Sequence, residues 1–379
     1  MKKKKTLLYA VIAGANALSL AAALALSLAG GAIARSQSYN RAAQKWDRDG
    51  KSTQISCFFP DDNSFTTDSV NALRVKLRNE LTAVAADPNG KIPTMPDAYS
   101  TSIGHSYITC DTLGKGEADI TAVDGDFFIF RDFKLLSGAY FSKDDIMQDG
   151  AVIEKSLAWS LYGSSNIAGQ LIYIDGIQFY VSGVIDDPSD KYEKKSADEN
   201  PRVYISYEGA ESLPQVMYSP SRFDDYSDYG MSSQPKLSKV SCYECIIYDP
   251  VENFAYSTVK KYFKDMNATN ISIVNNTERF SPSVMAKSYK KRSDSVIRKD
   301  TVVFPYWENA SRIAEFKLAP IYFWRTICFV LPIITAILLI WMGFRFIKKH
   351  GLNAISALIE KHKKAAYNRQ QKKDYINSN

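Results

Sequence analysis

The cysteines are the residues of this 379-residue chain whose type and spacing most directly suggest chemistry. Cys242 and Cys245, in the run CYEC, form a CxxC pair, which is typical of redox-active disulfides and of half a zinc site. A zinc site would need a second CxxC or a nearby histidine, and His105 is the only histidine before residue 350. No thioredoxin-like pattern surrounds the pair. We therefore expect a structural disulfide or two free thiols, and no catalytic role.

Cys57 and Cys110 lie between the same two long apolar segments as the CxxC pair. That region therefore holds an even number of cysteines, and disulfides persist outside the cytoplasm. All four cysteines are candidates for disulfide formation if the region is exported, and the spacing leaves their pairing open.

Adjacent aspartates are the remaining candidates for catalysis: Asp144 and Asp145, Asp186 and Asp187, Asp224 and Asp225. General acid–base catalysis uses carboxylates held in a cleft, whereas neighbouring acids in a surface loop are ordinarily solvated. The sequence contains no GxxxxGK[ST], HExxH or GxSxG motif. We expect no enzymatic activity, no metal site and no bound cofactor in this chain.

Two long apolar segments, one near each end of the sequence, flank the region that contains these candidate residues. Residues 6–34 carry no charge and would rise about 43 Å as a helix, more than the hydrocarbon core of a bilayer requires. The alternative is a secretory signal peptide, since Lys2–Lys5 precede the segment and GAIA resembles a cleavage site. The uncharged segment 6–34 is, however, longer than the apolar part of a signal peptide. Residues 319–347 form the second segment, with an uncharged stretch at 326–344 and aromatic and basic residues at both ends. The sequence predicts two transmembrane helices.

Lysine and arginine give the orientation. Basic residues dominate both the N-terminus, residues 1–5, and the tail, residues 348–379, so both ends are predicted to be cytoplasmic. Residues 35–318 then form an extracytoplasmic domain with helical stems, in which acidic residues outnumber basic ones. The overall charge of +6 therefore indicates membrane lipid headgroups as partners of the two ends, and no nucleic acid.

The region between the spans shows the periodicities of an α+β domain with a mixed sheet and helices on one face. Residues 52–59, 106–113 and 118–130 have strand composition, and Val70, Leu73, Leu77 and Leu81 recur on one helix face. Asp175-Gly176 between alternating segments predicts a hairpin. Residues 186–238 are expected to be a polar loop. The run from Cys242 predicts a strand followed by an amphipathic helix.

Residues 124–187 resemble the periplasmic core domain of MacB-type ABC transporter permeases. The family pattern combines a segment like YF…L..GR.FS..D, a strand and helix like VVI.E.LA..LFG, and a hairpin like..G..I.I.G..F.VVGV. The matching positions are Phe128, Leu135, Gly138, Phe141, Ser142, Asp145, Val152, Ile153, Leu157, Ala158, Leu161, Gly163, Gly169, Ile172, Ile174, Gly176, Phe179, Val181, Gly183 and Val184. These residues are mostly hydrophobic or glycine, so they specify the fold.

The resemblance implies a permease-like membrane subunit of a MacB/FtsX-type system. It also implies an ABC ATPase subunit as partner, which would bind the ATP, and a second permease chain or a homodimer partner. Family members usually have four spans and a cytoplasmic segment like RxREIGxRKALG, which this sequence lacks. The alternative is therefore a membrane-anchored extracytoplasmic binding or scaffold protein that has lost ATPase coupling.

The tail is the segment that distinguishes these functions. Apolar and basic residues share a predicted helix there: Leu352, Ile355, Leu358, Ile359, Lys361, Lys363 and Lys364. Such a helix suits either the membrane interface or a coupling contact with an ATPase. We expect it at the membrane interface.

Overall fold

The computed structural model describes residues 2–60, 64–85, 93–196, 200–214, 237–251, 253–268, 270–297 and 301–377, without the side chains of residues 2–6, 85, 349–358 and 365–377. The chain divides into two compact units. One comprises Met1–Ala29 and Ile321–Asn379, and the other, called the domain below, is Gly30–Pro320.

The helices of the described residues are α1 Lys2–Ser36, α2 Ala42–Trp46, α3 Thr67–Ala85, α4 Lys155–Tyr162, α5 Lys191–Ser196, α6 Tyr207–Glu211, α7 Phe254–Asp265, α8 Asn276–Arg279, α9 Pro282–Ser288 and α10 Tyr306–Asn377. The strands are β1 Ser52–Phe58, β2 Asp97–Thr109, β3 Lys115–Gly125, β4 Leu135–Gly138, β5 Gly150–Glu154, β6 Leu171–Ile174, β7 Ile177–Ile185, β8 Arg202–Ser206, β9 Cys242–Tyr248 and β10 Ser272–Asn275.

Within the described residues these strands form a ten-stranded mixed sheet in the order β10-β1-β9-β2-β3-β8-β5-β7-β4. β3 and β8 run parallel, as do β5 and β7, and the other pairs are antiparallel. β6 pairs with both β7 and β2, through Ile108 opposite Ile174 and Thr109 opposite Tyr173. The strands from β2 round to β6 therefore close into a small barrel, which the sequence patterns did not predict.

One face of the sheet, called the apolar face, is covered by α3, α4, α6 and α7. The predicted positions of α3, Val70, Leu73, Leu77 and Leu81, are all buried against it, which confirms the helix period. Burial of a leucine side chain contributes about 1.5–3 kcal/mol, so these positions alone favour this packing strongly.

The predicted hairpin is confirmed. Asp175 and Gly176 have φ angles of 47° and 86°, as a two-residue turn with both central residues left-handed requires, and they join β6 to β7. Gly163 ends α4 in the left-handed region, and its N–H donates to the Trp159 carbonyl at 2.9 Å.

The prediction of a loop over residues 186–238 is wrong at its centre. β8 lies between β3 and β5 with all of its residues buried. Its β-branched and aromatic run, Val203-Tyr204-Ile205 after Pro201, was the signal for a strand. The rest of the expected loop from residue 215 to 236 lies outside the described residues. β2 also begins earlier than predicted, at Asp97 rather than near Ser106.

In the part of the chain that the structure describes, two helices are long and apolar enough to cross a membrane, Leu7–Ser36 and Tyr306–Lys348, and the other unit contains most of the first and part of the second. Pro332 has no N–H, so the carbonyl of Cys328, four residues earlier, lacks its helical donor. Ser19 Oγ of α1 donates to that carbonyl at 2.5 Å. Thr335 Oγ1 donates to Asn16 Oδ1 at 2.8 Å. Polar side chains of α1 therefore form hydrogen bonds with polar groups of α10 near Pro332.

Candidate functional site

The four candidate cysteines form no disulfide; all are buried free thiols. Cys242 and Cys245 lie three residues apart on β9, and alternate residues of a strand face opposite sides. Cys245 therefore packs into the apolar face with Cys57, while Cys242 packs on the other side. Of the two alternatives left open for Cys242 and Cys245, a structural disulfide or two free thiols, the structure has the free thiols.

Cys57 and Cys245 are on the same face but not directly opposite, because Cys57 pairs with Tyr243. Burial raises the pKa of both thiols, which keeps them protonated and poorly nucleophilic. Cys110 lies elsewhere, with its Sγ 3.0 Å from Thr112 Oγ1. These thiols fill the core, as small apolar groups do.

The adjacent aspartates have local structural roles. Asp145 accepts from the backbone N–H of Ser142, and Asp187 accepts from the N–H of Ser156 in the first turn of α4. Asp186 lies 2.9 Å from Lys134 Nζ. Asp224 and Asp225 lie outside the described residues. Among the described residues, no group of three His, Cys, Asp or Glu side chains is arranged to hold a metal ion.

The tail continues α10 to Asn377 as one helix. Ile359, Lys361, Lys363 and Lys364 are exposed, and Lys364 Nζ lies 3.4 Å from Glu360 Oε1. The side chains of Leu352, Ile355 and Leu358 lie outside the described residues, so the predicted apolar stripe stays a prediction.

The candidate site is the second face of the sheet, called the stem face below. It packs against the residues that follow α1 and against the start of α10, at Tyr306 and Trp307. Here the even-numbered positions of β1, β5, β8 and β9 point inward, and several of them are polar or charged yet buried: Gln54, Ser56, Glu154, Arg202 and Glu244. The predicted α+β fold with a mixed sheet is confirmed, with helices on one face as expected, and the residues after α1 and the start of α10 cover the second face.

Arg131 is the first of the cations buried on this face. It forms an ion pair with Glu244, and Ser56 Oγ donates to the other oxygen of the same carboxylate at 2.9 Å. The guanidinium lies 4.1 Å from the ring centre of Trp307 and 4.7 Å from that of Phe127. Burial alone would lower the pKa of Arg131, and the charge of Glu244 overcomes this and raises it. The first turn of α10 thus packs directly on a buried charge.

Arg202 is the second buried cation. Its Nε lies 2.7 Å from Glu154 Oε1, and its guanidinium lies 3.6 Å from the ring centre of Tyr306. Tyr306 and Tyr204 share a hydrogen bond of 2.9 Å between their hydroxyls. Burial raises the pKa of Glu154 to about 7, although Arg202 acts in the opposite direction. This carboxyl is therefore a group of the stem face that titrates near neutrality.

Arg279 is the third, and it holds α10 most extensively. Its guanidinium donates to both oxygens of Glu308, at 2.6 and 2.9 Å, and its Nε donates to Glu315 at 2.6 Å. Asn40, just beyond α1, accepts from the same guanidinium at 3.2 Å and donates to Ser311 Oγ at 2.6 Å. Arg279 of α8 therefore binds both the segment that follows α1 and the first part of α10. These two segments are called the stems.

Sequence reasoning missed these residues for an identifiable reason. A charged residue at alternate positions of a strand, such as Glu244 in CYECIIY, ordinarily faces water. The spacing Glu308–Glu315 places two carboxylates on the same side of a helix, and this was the available signal. Nothing local indicated that Arg279 would lie between them.

The fold and the stem face define a class of protein. It is an α+β domain in which buried ion pairs bind the segments that lead to two apolar helices. The model of the MacB-like periplasmic core domain family matches residues 15–229. The chain therefore belongs to the MacB-like periplasmic core domain family. It is a membrane protein with an extracytoplasmic domain.

Two of the solved structures that are similar to this chain are extracytoplasmic parts of transporters. The extracellular domain of the noncanonical ABC-type transporter YknZ from Gram-positive bacteria is 13% identical, covers 59% of this chain and 100% of its own, and has a TM-score of 0.36. The periplasmic region of MacB from Actinobacillus actinomycetemcomitans is 13% identical, covers 65% and 94%, and has a TM-score of 0.36. No curated protein matches the sequence.

Proposed function

We propose that this chain is a permease-like subunit of a MacB/FtsX-type ABC system, in which a separate cytoplasmic ATPase acts on the extracytoplasmic domain through the stems. The ATPase and a second permease chain, or a second copy of this one, are the partners that this proposal requires. ATP would be bound by the ATPase subunit alone.

The anchoring of α10 carries the proposal. Glu308 and Glu315, in its first part, are held by the buried Arg279, and the same helix continues through the apolar segment. A buried, hydrogen-bonded ion pair resists displacement because separating it leaves charges without solvent. Movement of α10 would therefore be passed to the sheet rather than lost at a loose junction.

Both termini are proposed to be cytoplasmic, and cysteine labelling tests this. Leu113, at the surface of the domain, and Lys361, in the tail, are both exposed, whereas the native cysteines of the domain are buried. In intact cells, a membrane-impermeant maleimide should label Leu113→Cys, and it should label Lys361→Cys only after the membrane is opened. Labelling of Lys361→Cys in intact cells would contradict the orientation.

The ATPase partner is tested by gentle purification of the tagged chain from its native membrane, followed by mass spectrometry. We expect an ABC ATPase in stoichiometric yield. If the tail contacts the ATPase rather than the membrane interface, reversing the charges of Lys361, Lys363 and Lys364 to glutamate should abolish its recovery. The matched control reverses the three exposed lysines of α7, Lys260, Lys261 and Lys264.

A second candidate function is an anchored binding or scaffold protein without ATPase coupling. It is motivated by the tail, which lacks a segment like RxREIGxRKALG. Failure to recover any ATPase, even after cross-linking, together with full function of the charge-reversed tail, would favour this candidate over the permease.

A further inference from the structure

Arg325 lies at one end of the longest uncharged stretch of α10. It follows shortly after Pro320, the last residue of the domain. The uncharged stretch after it, residues 326–344, rises about 28 Å as a helix, which matches a hydrocarbon core of about 30 Å. Arg325 is therefore placed at the level of the lipid headgroups, at the end of the span that leads to the domain.

The neighbouring helix holds the side chain of Arg325. Its Nε donates to Ser27 Oγ of α1 at 2.7 Å, and Ser27 Oγ in turn donates to the Ala23 carbonyl at 2.7 Å. The guanidinium lies 5.7 Å from the ring centre of Tyr322 and 5.5 Å from that of Phe329. These contacts orient the guanidinium, and among the described residues they leave both of its Nη groups without a hydrogen-bond acceptor.

No acidic residue of the same unit is close enough to neutralise Arg325. Met1–Ala29 and Ile321–Asn379 contain only Glu360 and Asp374 as acids, and Glu360 lies about 50 Å further along α10. Glu315, the nearest acid before Arg325 in α10, accepts from Arg279 Nε at 2.6 Å. A cation at the edge of the hydrocarbon core is unfavourable without an anion. The anion must therefore come from outside this unit, at the depth of the headgroups.

We propose that Arg325 and Ser27 form a binding site for the phosphate of a phospholipid headgroup. Ser27 engages Nε, so the two Nη groups are the donors that would bind the phosphate oxygens, in the paired geometry that arginine offers to phosphate. Trp324, exposed beside Arg325, is of the residue type that favours this depth of the bilayer. This site is at the opposite end of the span from the basic tail, and it does not depend on coupling to an ATPase.

Arg345, at the other end of the uncharged stretch, gives a comparison within the same helix. Its guanidinium stacks on Trp341 at 4.9 Å, and among the described side chains none from α1 holds it. Lys348 and Lys349 follow it closely. A side chain that is free to move among other cations attracts anionic lipid without a fixed geometry. We therefore expect one well-defined lipid at Arg325 and a diffuse set of lipids around Arg345.

The test is photo-cross-linking of the full-length protein in detergent, with a phosphatidylglycerol that carries a diazirine next to its phosphate. Mass spectrometry of the cross-linked peptides should show saturable adducts on the segments that contain Ser27 and Arg325. A diacylglycerol with the same chains and diazirine, but without the phosphate, should give few adducts there. Unlabelled phosphatidylglycerol should compete, whereas millimolar inorganic phosphate should not, because it lacks the acyl chains.

Three variants locate the site. Arg325→Gln should weaken the concentration dependence of these adducts about tenfold, because it removes the charged donors while the amide can still donate to Ser27. Ser27→Ala should weaken it about threefold, because the guanidinium is then free to turn. Arg345→Gln, the matched control, should leave the adducts at Ser27 and Arg325 unchanged and reduce those near Trp341. If Arg325→Gln does not fold, Arg325→Lys, which keeps the charge without the paired donors, should show an intermediate loss.

Four results would overturn the proposal. The first is equal adduct formation by the diacylglycerol, which would leave only an apolar contact. The second is displacement by inorganic phosphate, which would assign the site to free phosphate. The third is an affinity that Arg325→Gln and Arg325→Lys leave unchanged. The fourth is adducts confined to residues after 344, which would assign lipid binding to the basic end of the helix alone.

Discussion

The two faces of the sheet are buried by different chemistry. The apolar face is covered by hydrophobic residues of α3, α4, α6 and α7, and its inward strand positions, such as Ile55, Tyr243 and Ile247, carry almost no charge. The stem face buries Arg131, Arg202 and Arg279 with their carboxylates and aromatic rings. An apolar contact tolerates small shifts, whereas a bidentate ion pair demands one geometry. The stem face is therefore built to fix the position of α10 rather than to maximise stability.

The largest expected effect is loss of one partner on the stem face. Arg279→Met leaves the carboxylate of Glu315 without its cation, and it leaves Glu308 with Arg312 alone, whose Nε donates to Glu308 Oε1 at 2.7 Å. It should destabilise the protein by about 3–5 kcal/mol. Denaturant unfolding of the domain, followed by tryptophan fluorescence, measures this. A loss smaller than about 1 kcal/mol would show that water or other groups compensate the carboxylates, and that the ion pair does not anchor α10.

The counterpart on the apolar face is Leu77→Ala. This residue is 1% exposed, and its truncation should cost about 2–5 kcal/mol through lost burial and the cavity left behind.

Double replacements should affect the stability of the two faces differently. Replacing both Arg131 and Glu244, with methionine and leucine, should cost far less than either single replacement, because no charge stays buried alone. On the apolar face, Leu77→Ala with Val259→Ala should cost at least as much as Leu77→Ala alone.

A pH dependence is expected from the stem face. The folded-state pKa of Glu154 is raised to about 7 from an ordinary value of 4.5, so its protonated form favours folding. This contribution is fully present below pH 4.5 and is lost as the pH rises through 7. Since one pKa unit corresponds to about 1.4 kcal/mol, the rise of about 2.5 units corresponds to a total loss of about 3–4 kcal/mol.

Unfolding measured at pH 5 and pH 8 checks this dependence. Glu154→Gln should remove the change between the two, whatever its effect at either pH. The matched control is Asp186→Asn, because a hydrogen bond from Lys134 lowers the pKa of that exposed carboxyl. Stability that rises between pH 5 and pH 8 in the wild type but not in Glu154→Gln would contradict the assignment.

The smallest effect should come from an ion pair on the surface. Lys45 Nζ lies 2.7 Å from Asp132 Oδ1, as close as the buried pairs, but both side chains are about half exposed. Lys45→Ala should change the unfolding free energy by no more than about 0.5 kcal/mol. A loss comparable to that of Arg279→Met would mean that distance, and not burial, decides the strength of these pairs.

Local sequence patterns predicted the helix that buries one face and the hairpin turn. The period of Val70, Leu73, Leu77 and Leu81 located α3, and Asp175-Gly176 located the hairpin, because a helix face and a two-residue turn depend on neighbours in the sequence. β8 was missed because its flanking residues are polar, although its own residues are buried in the middle of the sheet.

The sequence by itself determined the membrane class, the α+β composition and the family resemblance, since long apolar segments and glycine-punctuated strands are readable locally. Only the tertiary structure decided that Cys242 and Cys245 face opposite sides, that β6 closes the barrel, and that Arg279 joins Glu308 and Glu315. Each of these depends on which distant segments meet. A charged residue that alternates with apolar ones has the same pattern whether water or a buried partner lies opposite, so its role follows from packing alone.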